Sequence, residues 1–187
     1  MTDREKLPFN IYLIGFMGCG KSTIAAALRK NYGMPVAEMD QMIVEEEGMS
    51  IPEIFSSKGE AHFRTVETNL LKRLAETSNH VVSCGGGAAT RRENVELMKK
   101  GGVVVLLTAT PEEIYKRVRY STNRPLLKGR MSVEGIKELM DARRPAYEAA
   151  ADITILTDGK DANRICREIM DAVKDKMYNR FTEEPEI

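Results

Sequence analysis

The segment Gly15-Phe16-Met17-Gly18-Cys19-Gly20-Lys21-Ser22-Thr23 fits G-x-x-x-x-G-K-[ST] and follows directly on the apolar run Ile11-Tyr12-Leu13-Ile14. Such a loop, placed between a buried strand and a helix, aims successive backbone N–H groups at a polyphosphate. Its glycines remove the Cβ atoms that would obstruct both the turn and the close approach. Lys21 is expected to reach the β and γ phosphates and Ser22 to ligate Mg²⁺. The helix opening at Gly20 presents its positive end to the same anion, with Gly18, Cys19 and Thr23 completing the cradle.

Other residues point to a second substrate. Asp40 follows a strand-like run, where a carboxylate can orient an acceptor hydroxyl and take its proton as a phosphoryl group moves. It can also cap a helix from Gln41 to Glu47, and the two roles are compatible. Glu38 lies two positions earlier and shares a face with Asp40 if the strand persists, so that one acid holds metal-bound water while the other handles substrate. Gly85-Gly86-Gly87 follows Val81-Val82-Ser83-Cys84 and disfavours regular structure by about 0.5–1 kcal/mol per glycine. Backbone must come very close to something there. Arg64 lies beside the apolar stripe Phe63, Val66, Leu70, Leu74, with Glu60 and Glu67 in reach for intrahelical ion pairs. Arg143, in Arg143-Arg144-Pro145-Ala146-Tyr147, supplies a second guanidinium, so two forks could converge on one carboxylate. Between Lys116 and Arg130 there are six basic residues, Arg119 and Arg124 among them, and no acidic ones. A solvated face is one reading, and a basic loop closing on a triphosphate fits the interruptions by Ser121-Thr122-Asn123, Pro125 and Gly129 better.

The elements that must position these residues read as alternating strands and helices. Strand-like runs at Asn10 to Gly15, Pro35 to Met39, Val81 to Cys84, Val103 to Leu107 and Ile153 to Leu156 separate segments of helical period. The helices are expected from Lys21 to Asn31, Glu60 to Glu76, Arg92 to Lys100, Pro111 to Tyr120, Ser132 to Ala149 and Asp161 to Lys176. That alternation predicts an α/β chain with a parallel sheet covered on both faces. Thr110-Pro111 and Ser132 are start signals, and Asp158-Gly159-Lys160-Asp161 is a turn before the last helix.

The 187 residues suit one compact domain, and 28 Lys plus Arg balance 28 Asp plus Glu, so the net charge makes no case for nucleic acid or an anionic membrane. Neither a secretory h-region nor a membrane-spanning apolar stretch is present, and a cytoplasmic location is expected. Cys19, Cys84 and Cys166 have no metal-ligand spacing with each other or with His62 and His80. Cys19 at a helix N-terminus could carry some reactivity, although a small residue packed in the loop is the better reading.

Taken together, the phosphate loop, Glu38-x-Asp40, GxxIPEIFxxxGExxFRxxE over residues 48–67, Cys84 with the three glycines, Arg124-Pro125-Leu126-Leu127 and R-x-P-x-Y from Arg143 to Tyr147 resemble the shikimate kinases, in this order and over about residues 11–176. The resemblance implies a three-layer P-loop kinase fold with five parallel strands ordered 2-3-1-4-5. It implies one domain over 8–178, a substrate region at about 40–76, a mobile lid at about 119–131 and a frayed tail from 179. ATP and shikimate become the expected substrates, with Mg²⁺, no macromolecular partner and a monomeric state. Asp40 would bind ring hydroxyls and act as base, Arg64 and Arg143 would hold the shikimate carboxylate, and Gly85, Gly86 and Gly87 would contact the ring. Lys21 and Arg124 would stabilise the moving phosphoryl group, Ser22 would bind Mg²⁺, Glu38 would reach it through water, and Arg119 would stack on adenine. Glu38 departs from the family's usual D-x-D, and Arg144 beside Arg143 leaves two arginines to choose between. A gluconate kinase, or a nucleotide-binding regulator without catalysis, are the alternatives.

Overall fold

The computed structural model describes residues 6–120 and 131–182. Its strands are β1 (Asn10–Ile14), β2 (Val36–Glu38), β3 (Val81–Ser83), β4 (Gly102–Thr108) and β5 (Ile153–Leu156), all parallel and ordered β2-β3-β1-β4-β5. The register places Ile11 of β1 between Val81 of β3 and Val103 of β4. All five residues of β1 are buried, and β4 is a continuous apolar run, as required of strands covered by helices on both faces.

Eight helices surround the sheet in the described residues: α1 (Lys21–Tyr32), α2 (Met39–Glu47), α3 (Ile51–Ser57), α4 (Gly59–Ala75), α5 (Arg92–Gly101), α6 (Pro111–Val118), α7 (Val133–Ala150) and α8 (Ala162–Thr182). A 3-10 turn covers Ala88–Thr90. The start signals act as expected. Thr110 Oγ1 accepts the Glu113 N–H at 3.3 Å, and Ser132 Oγ accepts that of Gly135 at 3.0 Å. Ser50 opens α3 with a capping box, its hydroxyl accepting from the Glu53 amide while the Glu53 carboxylate accepts the Ser50 N–H at 2.8 Å. None of the helices in the described residues is long and apolar enough to cross a membrane.

Besides α3, which the periodicity does not predict, and shifts of one or two residues elsewhere, two boundaries differ from expectation. β2 stops at Glu38 and α2 begins at Met39, so Asp40 sits in the first turn of a helix and not on the strand face expected to hold both acids. Met39 and Ile43, four residues apart and both fully buried, supply the apolar stripe that starts the helix here. An acid in a first turn also complements the helix dipole. At the other end α8 continues to Thr182, past the expected Lys176 end and into the expected tail, whose residues 183–187 lie outside the described ones.

Glu47, the last residue of α2, ties this helix to the next two. Its Oε2 accepts from Lys58 Nζ and faces His62 Nε2, both at 2.8 Å. The bond from Lys58 first, then that from His62, holds the carboxyl below the ordinary glutamate value. A depressed folded pKa stabilises above the unfolded value, about 4.3, and that contribution is lost as pH falls through the lower folded one. Glu47→Gln should therefore melt below wild type at pH 7, and the gap should close as thermal melts are repeated down to about pH 3. A gap that stays constant with pH would show that the charge of Glu47 contributes nothing.

Candidate active site

The chain leaves β1 through Gly15, at φ 136°, where a Cβ would lie 2.3 Å from the Leu107 carbonyl oxygen on β4. No side chain fits there, so the loop begins hard against the neighbouring strand. Gly20, at φ 101°, forms the N-cap of α1. Lys21 Nζ donates to the carbonyls of Gly15 at 2.8 Å and Phe16 at 3.2 Å, so its ammonium lies back across the loop. Ser22 Oγ donates to Glu38 Oε2 at 3.1 Å. The ammonium, the N–H groups of the first turn of α1 and the helix dipole thus converge on one anion position. Cys19 is fully buried, as suits a small residue packed in the loop.

The loop is held from α6. A Cβ on Gly18 would come within 2.6 Å of Val118 Cγ1, and Arg117 Nη1 donates to the Gly18 carbonyl at 3.2 Å and to Thr157 Oγ1 at 3.1 Å. Of the two α6-end arginines, Arg117 lines the cleft among the described residues and Arg119 does not. Ile114 and Val118 turn the neighbouring face of α6 onto the loop, and Arg119, one residue beyond Val118, lies exposed with its guanidinium 4.7 Å from the Tyr120 ring centroid. Arg124 and most of the expected lid lie outside the described residues.

Across the cleft, charged side chains crowd the three glycines. A Cβ at Gly85 would lie 2.7 Å from Asp40 Oδ1 and 3.2 Å from Glu67 Oε1, and one at Gly87 would lie 2.6 Å from Arg64 Nη1. None of the three has a positive φ, so what glycine serves here is the close approach of these side-chain ends and not a left-handed turn. Tyr147 Oη donates to the Gly86 carbonyl at 2.6 Å, and Arg143 Nη1 donates to the same oxygen at 3.4 Å. Arg144 points away, paired with Asp141 at 2.5 Å and more than half exposed. Helical rotation separates the two neighbours by about 100°, and the burial of Tyr147, four residues after Arg143, turns Arg143 inward.

Arg64 is held by two carboxylates. Glu60 Oε1 accepts from its Nη2 at 3.2 Å and Glu67 Oε2 from its Nη1 at 3.0 Å. Glu60 is largely exposed, whereas Glu67 is 1% exposed. Burial pushes the Glu67 carboxyl above its ordinary value, against the pull of Arg64 and with a smaller push from the charge of Asp40. In the sequence Glu67 reads as an ion-pair partner of Arg64. A signal was present: Glu67 stands four residues after Phe63, on the core-facing side of α4, where an acid has no place unless a buried cation accompanies it.

These groups line one cleft of about 1640 Å³, from Arg117, Thr157 and Lys160 past the phosphate loop to Phe55 and Arg143. It gathers Gly18, Cys19, Gly20, Lys21, Ser22, Thr23, Glu38, Asp40, Arg64, Gly85, Gly86, Gly87 and Arg143, every described residue expected at the site except Arg119. Among the described residues no group of three His, Cys, Asp or Glu side chains could hold a metal alone. Ser22 and Glu38 instead offer two hard oxygen donors beside the phosphate position.

The family model described as shikimate kinase matches residues 17–174. A shikimate kinase of Dehalococcoides mccartyi is 40% identical over 165 residues, covering 88% of this chain and 93% of that protein. One of Geobacter metallireducens is 45% identical over 160 residues, covering 86% and 89%. Among solved structures, the shikimate kinase of Acinetobacter baumannii in complex with shikimate superposes with a TM-score of 0.83 at 34% identity, covering 90% of this chain and 94% of that one. A gluconokinase of Sinorhizobium meliloti, at 18% identity and a TM-score of 0.61, shares the fold alone.

The approach of Gly87 to Arg64 can be tested directly. In Gly87→Ala the new methyl must displace a guanidinium pinned by Glu60 and Glu67. Calorimetric affinity for shikimate should fall about tenfold, roughly 1.4 kcal/mol, with ATP affinity changed less than about threefold. Equal losses for both ligands would mean that the glycines serve the fold and not the acceptor site.

Proposed function

The chain belongs to the shikimate kinase family, and from that premise we propose that it transfers the γ-phosphoryl group of ATP to the 3-hydroxyl of shikimate. The products are ADP and shikimate 3-phosphate, on the route to chorismate and the aromatic amino acids. One observation carries the choice of acceptor: Arg64 and Arg143, from helices far apart in the chain, come to successive residues of one glycine loop. Two guanidinium groups against bare backbone suit a compact ring bearing a carboxylate.

In this reading Arg64 and Arg143 hold the shikimate carboxylate, and the Gly85–Gly87 backbone lies along the ring. Asp40, 2.7 Å from where a Gly85 Cβ would stand, orients the acceptor hydroxyl and takes its proton. Lys21 leaves the Gly15 and Phe16 carbonyls for the phosphates and, with Arg124, neutralises charge on the phosphoryl group as it moves. Ser22 would hold Mg²⁺ directly and Glu38 through water. When bound, the ion would neutralise negative charge on the ATP phosphates. Arg117, beside Thr157 and Lys160, replaces Arg119 as the guanidinium nearest the nucleoside end of the cleft. We propose a cytoplasmic location and a monomer; the cleft is lined by one chain and needs no residue from a second copy.

ADP release measured with shikimate, with gluconate and with neither separates the three readings. Turnover only with shikimate supports the proposal, turnover with gluconate favours the alternative kinase, and none with either favours a regulator.

Arg64→Ala and Arg143→Ala should each lower kcat/KM for shikimate by about tenfold to a hundredfold, the worth of a charge-assisted hydrogen bond, while ATP use is much less affected. Arg144→Ala should be silent. Damage from Arg144→Ala with Arg143→Ala unaffected would contradict the assignment.

A magnesium titration distinguishes the acids. Asp40→Asn should lower kcat by about 10² or more at every magnesium concentration. Glu38→Asp should stay active and shift the half-maximal magnesium concentration by about 100-fold at most. The opposite pattern would exchange their roles.

A further inference from the structure

Between α4 and α5 lies a polar chain that the reaction does not use. Thr68 and Asn94 are 4% and 0% exposed. Arg91 Nη1 donates to Thr68 Oγ1 at 3.1 Å, Thr68 Oγ1 donates to Asn94 Oδ1 at 2.7 Å, and Asn94 Nδ2 donates to the Ala88 carbonyl at 3.1 Å. Arg91 Nη1 also donates to the Arg64 main-chain carbonyl at 3.0 Å. The chain therefore begins at the backbone of Arg64 and ends on Ala88, the residue after the three glycines. Ala88 closes that loop, its own N–H donating to the Gly85 carbonyl at 3.1 Å.

Taking the proposed activity as given, we propose that Thr68, Asn94 and Arg91 are positioning residues that set the distance between the Arg64 helix and the glycine loop, and through it the affinity for the shikimate carboxylate. Two features carry this. A buried hydroxyl and amide are a poor way to fill space between helices that already pack Leu71 and Met98, since apolar side chains would do so without desolvating polar groups. What hydrogen bonds add is a fixed length and direction. The dimension they fix is also one to which the site is sensitive: Gly87 approaches Arg64 so closely that a single methyl group there would push the guanidinium aside. Thr68 stands one helical turn after Arg64, so a shift of α4 against the loop at Thr68 is carried to the guanidinium.

Thr68→Val keeps the side-chain shape and removes both bonds of the hydroxyl, while Thr68→Ser keeps them. Wild type must first turn over shikimate, which tests the activity itself. Given that, Thr68→Val should raise KM for shikimate about 5- to 20-fold, with KM for ATP within about twofold and kcat within about threefold, the selectivity expected of lost ground-state positioning. Thr68→Ser should return shikimate KM to within about twofold of wild type. Hydrogen exchange over residues 84–91 should be faster in Thr68→Val than in wild type, a readout independent of the substrate. If Thr68→Val does not fold, Arg91→Gln, changed at a partly exposed side chain, should show the same selective rise in shikimate KM. Equal rises for both substrates, unchanged exchange in the loop, or failure of serine to rescue would each overturn the proposal.

Discussion

The Gly85–Gly87 backbone passes so close to Asp40, Glu67 and Arg64 that a methyl group on Gly85 or Gly87 would come within 2.7 Å of a charged atom. The rest of the acceptor half of the cleft follows from this closeness. With no Cβ in the way, side chains from α2 and α4 reach the end of β3, while α7 fixes the Gly86 carbonyl through Tyr147. A substrate lying on such a surface meets amide groups and charges in fixed places, with few rotamers left to freeze on binding.

Charge balance depends on the same packing. Glu67 is buried beside Arg64, so neither can swing away without leaving an uncompensated charge in a poorly solvated place. Glu60 holds Arg64 from the exposed side, where an ion pair is worth little. In the proposed function an incoming carboxylate would displace Glu60 at small cost, while Glu67 would keep the guanidinium aimed. The two acids flank one arginine in sequence, yet their burial divides them into a fixed partner and an exchangeable one.

On the nucleotide side the corresponding constraint is Gly15 against the Leu107 carbonyl. It presses the loop onto β4 and sends α1 away from the end of β1. The Lys21 ammonium is bonded to the loop's own carbonyls, and the Ser22 hydroxyl to Glu38. Glu38 reaches Ser22 with a glutamate side chain where the family usually has aspartate, so the added methylene does not break this contact.

The phosphate loop, the parallel sheet and the residues after each strand were legible in the chain because they depend on local rules. The φ demands of glycine, the period of apolar residues and the caps at Thr110 and Ser132 act within a few residues. Strand order came from resemblance and is the order found; the roles proposed for Asp40, Arg64 and Arg143 rest on residue type and place in the chain as well as on resemblance. Tertiary structure alone decided that Asp40 lies in the first turn of a helix and that Arg117 and not Arg119 borders the loop, and it fixed what the chain only suggested, that Arg143 faces inward and Glu67 is buried. Adjacent residues of one helix differ only in which way they face, and that is settled by partners remote in the chain: Val118 against Gly18, Tyr147 against Gly86, Thr68 against Asn94. Local sequence can state the period of a helix, but its rotation about its own axis is chosen by what packs against it.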